Sequence, residues 1–150
     1  MPTMIALCGL PGSGKTTTAK QIERNRPALR LSQDEWVSRL FGASAVHNNR
    51  VRESIKDVQW DIAAQALQLG VDVVLDWGFW GRSERDDYRE RVSTLGVTFE
   101  LHYLDVPRQE LWRRLEARNA ALPPDTFPID EAMLDIYCAM FQPPTTEEII

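Results

Sequence analysis

Gly9-Leu10-Pro11-Gly12-Ser13-Gly14-Lys15-Thr16 is the stretch whose reading decides the fold. It fits the spacing G-x-x-x-x-G-K-[ST], the phosphate-binding loop called Walker A, and each position has a mechanical reason. Gly9, Gly12 and Gly14 supply the positive φ angles and bare backbone that wrapping a polyphosphate requires. Amide N–H groups then converge on a phosphate at the start of the next helix, whose dipole also favours an anion. Gly12, Ser13, Gly14, Lys15, Thr16 and Thr17 form the expected cradle for ATP. Lys15 reaches the β- and γ-phosphates, and the Thr16 hydroxyl sits on Mg²⁺. A ligand-free glycine turn is the competing reading, and context opposes it. Met4-Ile5-Ala6-Leu7-Cys8 is an apolar run fit for a buried strand, and Lys15 to about Arg24 reads as a helix.

Working outward, four apolar runs alternate with helical patterns, the signature of a parallel sheet covered on both faces. They are Met4–Cys8, Ala28–Leu31, Val71–Leu75 and Val97–Leu104, the last alternating as an edge strand does. Ser32 is placed to cap the second helix in a capping box with Glu35. Trp36, Val37, Leu40 and Phe41 are spaced for that helix's buried face. A long helix over Arg50–Leu69 presents Val51, Ile55, Val58, Ile62, Ala66 and Leu69 at helical spacing, with Gly70 closing it. Trp77-Gly78-Phe79-Trp80-Gly81 reads as a loop, followed by a charged helix from Ser83. Asp105 reads as a helix cap, and Pro107 suits the first turn of the helix after it. Ala121–Pro128 is a proline-rich loop. Asp130 caps a last helix with Met133, Ile136, Tyr137 and Met140 inward. The closing residues 147–150 offer a fifth strand that is absent or only nucleated.

The chain has 150 residues, 43% of them apolar and 26% charged, which suits one domain over 1–150 with a real core. No run approaches the ~18 apolar residues of a membrane span, and the first strand begins too early for a signal peptide. Cys8 and Cys138 belong to no metal-spaced cluster and read as buried thiols, so the expected compartment is the cytoplasm. A net charge of −5 argues against a broad nucleic-acid surface.

Ligands of open α/β sheets bind beyond the carboxyl ends of the strands. Those ends offer the phosphate loop, Asp34 after strand two, Asp76 after strand three and Asp105 after strand four. Val73-Val74-Leu75-Asp76 has the Walker B pattern, an apolar strand ending in an Mg²⁺-binding aspartate. Asp34 has two readings, a general base for an acceptor hydroxyl or a helix-start residue favoured by the dipole. Arg114 and Arg118 lie four apart on one side of a helix, either as a solvated face or as positive charge for a migrating phosphoryl group. Arg50, Arg52 and Arg82 are next in line for that charge. Trp77, Phe79 and Trp80 are core packing or the wall of an acceptor pocket.

Together these residues resemble a known family. The Gly9–Thr16 loop, Ser32-Gln33-Asp34-Glu35-Trp36, Val73-Val74-Leu75-Asp76 and the stretch Leu104-Asp105-Val106-Pro107 through Glu110, Leu111 and Arg114 look like the small P-loop kinases of the AAA-type ATP-binding, predicted-kinase group. The kinase domain of phage-type polynucleotide kinase is similar, as are chloramphenicol phosphotransferase and the zeta toxins. The likeness covers nearly the whole chain. It implies a three-layer P-loop NTPase fold of nucleoside/adenylate-kinase type, with a parallel sheet ordered 2-3-1-4 and a lid helix near 107–120. It also implies ATP-dependent phosphorylation of a hydroxyl, with Asp34 as base, Arg114 and Arg118 in the lid, and Mg²⁺ on Thr16 and Asp76. An AAA+ motor is not implied, since the chain is short of that fold's helical lid domain. In polynucleotide kinases an arginine three residues after the base grips the substrate's phosphate, and here that position is Val37. The expected acceptor is therefore a small molecule with a hydroxyl group, ahead of a nucleic-acid 5′-hydroxyl. A nucleotide-dependent switch that hydrolyses ATP slowly is the alternative outside the kinase class.

Overall fold

The computed structural model describes residues 1–124 and 126–149. Strands β1 (Thr3–Cys8), β2 (Ala28–Ser32), β3 (Asp72–Gly78) and β4 (Thr98–Tyr103) form one sheet in the order β2-β3-β1-β4. Every pairing is parallel, with Ile5 opposite Val74 on one side and Glu100 on the other. This is the order the resemblance implied. Helices α1 (Lys15–Asn25), α2 (Gln33–Phe41), α3 (Asn49–Gln68), α4 (Arg82–Thr94), α5 (Arg108–Ala120), α6 (Glu131–Met140) and the single turn α7 (Thr146–Ile149) complete it.

Strand alternation sorts the core into two faces. Met4, Ala6 and Cys8 of β1 pack with Val73 and Leu75 of β3 against Ala63 and Leu67 of α3 and Tyr88 and Val92 of α4. Ile5, Leu7 and Val74 face the other way onto Ala19 of α1. Helices on both faces of a buried parallel sheet make the three layers.

Several local readings change. β3 runs on through Gly78, so Trp77 and Gly78 belong to a strand and not to a loop. On α2 Val37 is the buried apolar residue, with Gln33 buried beside it, while Leu40 and Phe41 are 63% and 59% exposed. The inner face of α3 is Ile55, Gln59, Ala63 and Leu67, and Val58 and Leu69 are exposed. The core tolerates Gln59 because its amide donates to Ser32 O at 3.0 Å and accepts the Trp77 indole N–H at 2.7 Å. A pattern that scores glutamine as polar rotates the helix the wrong way. In α6 it is Leu134 that is buried, with Ile136 and Met140 outward. Cys138 is half-buried and Cys8 buried, both free thiols.

Asp105 caps nothing: Pro107 occupies the cap position of α5, and the Asp105 carboxylate accepts the Tyr103 hydroxyl at 3.3 Å. The Ser32 hydroxyl does accept from Glu35 N at 3.4 Å, but the Glu35 carboxylate takes Arg30 and leaves the capping box half-built. The expected loop over 121–128 contains residue 125, which lies outside the described residues, as does residue 150 of the expected fifth strand. Up to Ile149 that closing segment is helical. The Glu148 carboxylate turns inward onto Arg85 and accepts Thr145 N at 2.7 Å, which closes a turn.

Candidate active site

The loop between β1 and α1 has its strained angles at Gly12 (φ 84°) and Gly14 (φ 95°). Gly9 serves another need than the positive φ first assigned to it. A Cβ there would lie 2.6 Å from Ser13 Oγ, so the position demands closeness and not an unusual angle. Gly9 is also held from both ends by the segment after β3. Its N–H donates to Gly78 O at 2.9 Å, and its carbonyl accepts the Trp80 indole at 3.0 Å. Ser13 turns its hydroxyl into the protein and its N–H to Leu10 O, so it shapes the loop from within.

Lys15 Nζ folds back onto Leu10 O at 3.1 Å. Withdrawal from water lowers its pKa, an effect that the negative charges of Asp76 and Asp34 oppose. Thr16 Oγ1 donates to Asp76 Oδ2 at 2.9 Å. Burial within β3 raises the Asp76 pKa, against the pull of Lys15 and the Thr16 hydroxyl. Thr16 and Asp76 thus present adjacent hard oxygens beside the lysine. Mg²⁺ takes one or two protein oxygens and fills its octahedron with water and phosphate, so this donor set fits it. Among the described residues no group of three or more His, Cys, Asp or Glu forms a cage for a metal.

Ser32 pairs with Asp76 across β2 and β3, which brings the start of α2 alongside the loop. Asp34 stands there half-exposed, its Oδ1 accepting Arg52 Nη1 at 2.8 Å. Arg52 also donates to Val46 O and to Gln33 Oε1, and Gln33 Nε2 returns a bond to Arg52 O. The base candidate is therefore held by an arginine that is itself fixed in a closed pair of bonds with Gln33. Four residues further along α3, Lys56 donates to Glu84 Oε2 at 2.5 Å over the Trp77 ring.

From α5, Arg114 Nη1 donates to Gly12 O at 3.2 Å while its Nε holds Glu110. Arg118 reaches deeper. Its Nη2 donates weakly to Phe127 O at 3.5 Å, and its buried Nε has no partner among the described residues. Burial lowers its pKa, with the Asp34 charge opposing.

One cleft of about 1320 Å³ collects these groups, lined by Gly12, Gly14, Lys15, Thr16, Thr17, Asp34, Asp76, Arg114 and Arg118. Arg52, Lys56, Glu84, Trp80 and Tyr137 line it too. Of these, the sequence offers Arg52 only as a reserve cation and Tyr137 only as an inward helix residue, and no motif in it marks Lys56 or Glu84. Arg52 and Lys56 carry one faint signal, four-residue spacing on a helix. The Arg82 guanidinium is turned toward Asp86, Thr145 and Glu148 instead. Phe79 is wholly buried as core, Trp77 nearly so, and Trp80 is half-exposed to the cleft.

A parallel 2-3-1-4 sheet with a Walker A loop after β1 and an aspartate two residues before the end of β3 has the fold of the small P-loop kinases. An AAA-domain family profile, AAA_33, matches residues 4–144, and the chain belongs to that family. Solved structures similar to it include the Pnkp1/Rnl/Hen1 RNA repair complex, at 19% identity over 93% of this chain and TM-score 0.78. The chain spans 43% of that relative's length. A gluconokinase from Sinorhizobium meliloti 1021 is similar at 18% identity over 97% of this chain and 78% of its own, TM-score 0.67. The Mycobacterium tuberculosis APS kinase CysC, solved with AMPPNP and APS, is similar at 21% identity over 97% of this chain and 84% of its own, TM-score 0.68. No curated protein matches the sequence.

Proposed function

We propose that this protein is an ATP-dependent phosphotransferase that phosphorylates a hydroxyl of a small molecule, acting as one domain with α5 as its lid. One observation carries the reading: Asp34 opens into the same cleft as Lys15, the Thr16–Asp76 pair and Arg118. The names of the gluconokinase and the APS kinase agree with a kinase acting on small acceptors. Two free thiols and no helix long and apolar enough to cross a membrane, among the described residues, suit the cytoplasm.

When bound, ATP supplies the transferable phosphoryl group and Mg²⁺ offsets its charge. The amides of Gly12–Thr16 hold the polyphosphate, and Lys15 leaves Leu10 O to follow the γ-phosphate. Thr16 and Asp76 would hold the metal. Asp34, kept in place by Arg52, accepts the proton of the acceptor hydroxyl as that hydroxyl's oxygen attacks the γ-phosphorus in line and ADP departs. Arg118 and Arg114 place positive charge where it spreads in the transition state.

Transfer of labelled γ-phosphate from ATP to pooled metabolites, antibiotics and oligonucleotides tests this, with Lys15→Ala as the blank. Label is expected in a small hydroxyl compound with the wild type and in nothing with the variant. Near-normal turnover by folded Lys15→Ala refutes the site. Fast hydrolysis that depends on a protein partner, without transfer, refutes the kinase reading in favour of a switch.

A further inference from the structure

Resting on the phosphotransferase reading, we propose that the acceptor carries no phosphate or other anionic group. It is an uncharged or cationic hydroxyl compound with an apolar or aromatic body, seated between Asp34, Glu84, Trp80 and Tyr137.

The charges of the cleft are partitioned. On the phosphate side, Lys15 and Arg118 have no carboxylate within ion-pair distance among the described residues, so they stay available to an incoming polyphosphate. On the acceptor side both cations are already used. Arg52 spends its two terminal nitrogens on Asp34, Val46 O and Gln33, at 2.8, 3.2 and 2.9 Å. Lys56, with 9% of its side chain exposed, is held by Glu84 at 2.5 Å, has Glu53 at 4.0 Å, and lies 5.3 Å from the centre of the Trp77 ring.

An anionic acceptor would have to take Arg52 from Asp34 or Lys56 from Glu84. That leaves Asp34 or Glu84 unpaired beside the incoming anion, a like-charge contact that opposes its binding. Residue 37 offers no substitute cation, because it is a valine buried in the packing of α2 against Val46 and Ile55. Glu53, Glu84 and Asp34 outnumber Arg52 and Lys56 along this wall, so a cationic group is welcome and an anion is not.

Aromatic lining fixes the acceptor's other half. The Trp80 indole is anchored by Gly9 O, with the Tyr137 ring 5.0 Å away at 49°, and exposed Met140 lines the same cleft. A held aromatic pair with a pliable methionine suits an apolar or planar body better than a bare polyol.

The test uses wild-type protein loaded with Mg²⁺ and AMPPNP, titrated calorimetrically with ribose 5-phosphate as the anionic probe. No saturation is expected up to millimolar concentration. Glu84→Gln, which frees Lys56, should gain binding at least tenfold tighter. Glu84→Gln combined with Lys56→Met, which removes the cation and is free of an unpaired charge, should lose it again. In parallel, labelled transfer is compared for adenosine, an aromatic primary alcohol and an aminoglycoside against adenosine 3′-phosphate, gluconate and a 5′-hydroxyl oligonucleotide.

Saturable binding of ribose 5-phosphate by wild type that Lys56→Met abolishes overturns the inference. So does preferred transfer to an anionic acceptor, no gain in Glu84→Gln, or no transfer to any uncharged or cationic compound. Failure of wild type to bind AMPPNP at all instead removes the phosphotransferase reading beneath it.

Discussion

Replacing Glu148 by glutamine perturbs a buried ion pair outside the cleft lining and still reaches the phosphate loop. The side chains of Arg85 and Glu148 are 0% and 1% exposed and are joined through Nε and Nη2 at 2.8 and 3.5 Å. Removing one partner of such a pair leaves the other charge buried and costs about 3–5 kcal/mol. Near 150 residues each kcal/mol moves Tm by roughly 2–4 °C, so Glu148→Gln is expected to melt roughly 6–20 °C lower by circular dichroism. Arg85→Met with Glu148→Leu removes both charges and should recover most of that loss. The pH dependence has a definite sign. Burial alone pushes the Glu148 carboxyl up, but its bonds from Arg85 and Thr145 N–H and the charges of Arg85 and Arg82 outweigh this and hold it below the usual range. A carboxylate depressed in the folded state contributes stability that is complete above its unfolded pKa of about 4.3 and is lost as pH falls through the folded value. The gap between wild type and Glu148→Gln should therefore be full at neutral pH and close in acid. A loss below about 1 kcal/mol, or a double variant as unstable as the single one, would show that the pair is not the buttress it looks like.

Asp34→Asn should cut transfer strongly with ATP affinity almost intact in calorimetry, because the amide keeps the shape but cannot take a proton; a collapse of ATP binding would make Asp34 a metal or structural residue. Arg118→Ala should lower kcat more than it raises KM for ATP, within the ~10³–10⁵ range of an arginine finger, and Arg114→Ala, already shared with Glu110 and exposed, should show less. Wild-type kinetics for both and for their double variant would move the positive charge elsewhere. Gly9→Ala should weaken ATP binding by tenfold or more in a folded protein, since its Cβ meets Ser13 Oγ at 2.6 Å; unchanged affinity would mean the loop yields at no cost.

The parts legible in the sequence are those where chemistry and position coincide. Gly9–Thr16 needs its glycines, a lysine and a threonine at fixed spacing, and an apolar run must feed it. Asp76 follows from an apolar run that leads into a carboxylate, although the strand continues through Gly78, and the strand order came with the resemblance. What escaped depends on residues far apart in sequence. Gln59 entered the core because Ser32 O and the Trp77 indole satisfied its amide, so the burial face of α3 turned away from Val58 and Leu69. Glu148 drew the tail into a turn because Arg85, 63 positions away, needed a carboxylate. Arg52 and Lys56 gain their importance from Asp34 and Glu84, 18 and 28 positions away in sequence. Helical periodicity records none of these partners.

The Arg85–Glu148 pair also bears on phosphate binding through one strained residue. Phe79 holds a φ of 48°, rare for a bulky side chain and worth roughly 1–3 kcal/mol of strain, so its surroundings must hold it there. Its carbonyl accepts Arg85 Nη1 at 2.9 Å and the Cys8 thiol at 3.3 Å. On either side of it, Gly78 O and the Trp80 indole grip the two ends of Gly9, and Trp80 O in turn accepts Gln142 N at 2.9 Å. The first residue of the phosphate loop is thus clamped by a segment whose conformation is imposed by Arg85 and by the chain that follows α6. The charge-free double variant restores the packing around Arg85 but not the donor to Phe79 O. It should regain stability while its ATP affinity stays below wild type, which separates the pair's part in folding from its part in shaping the loop.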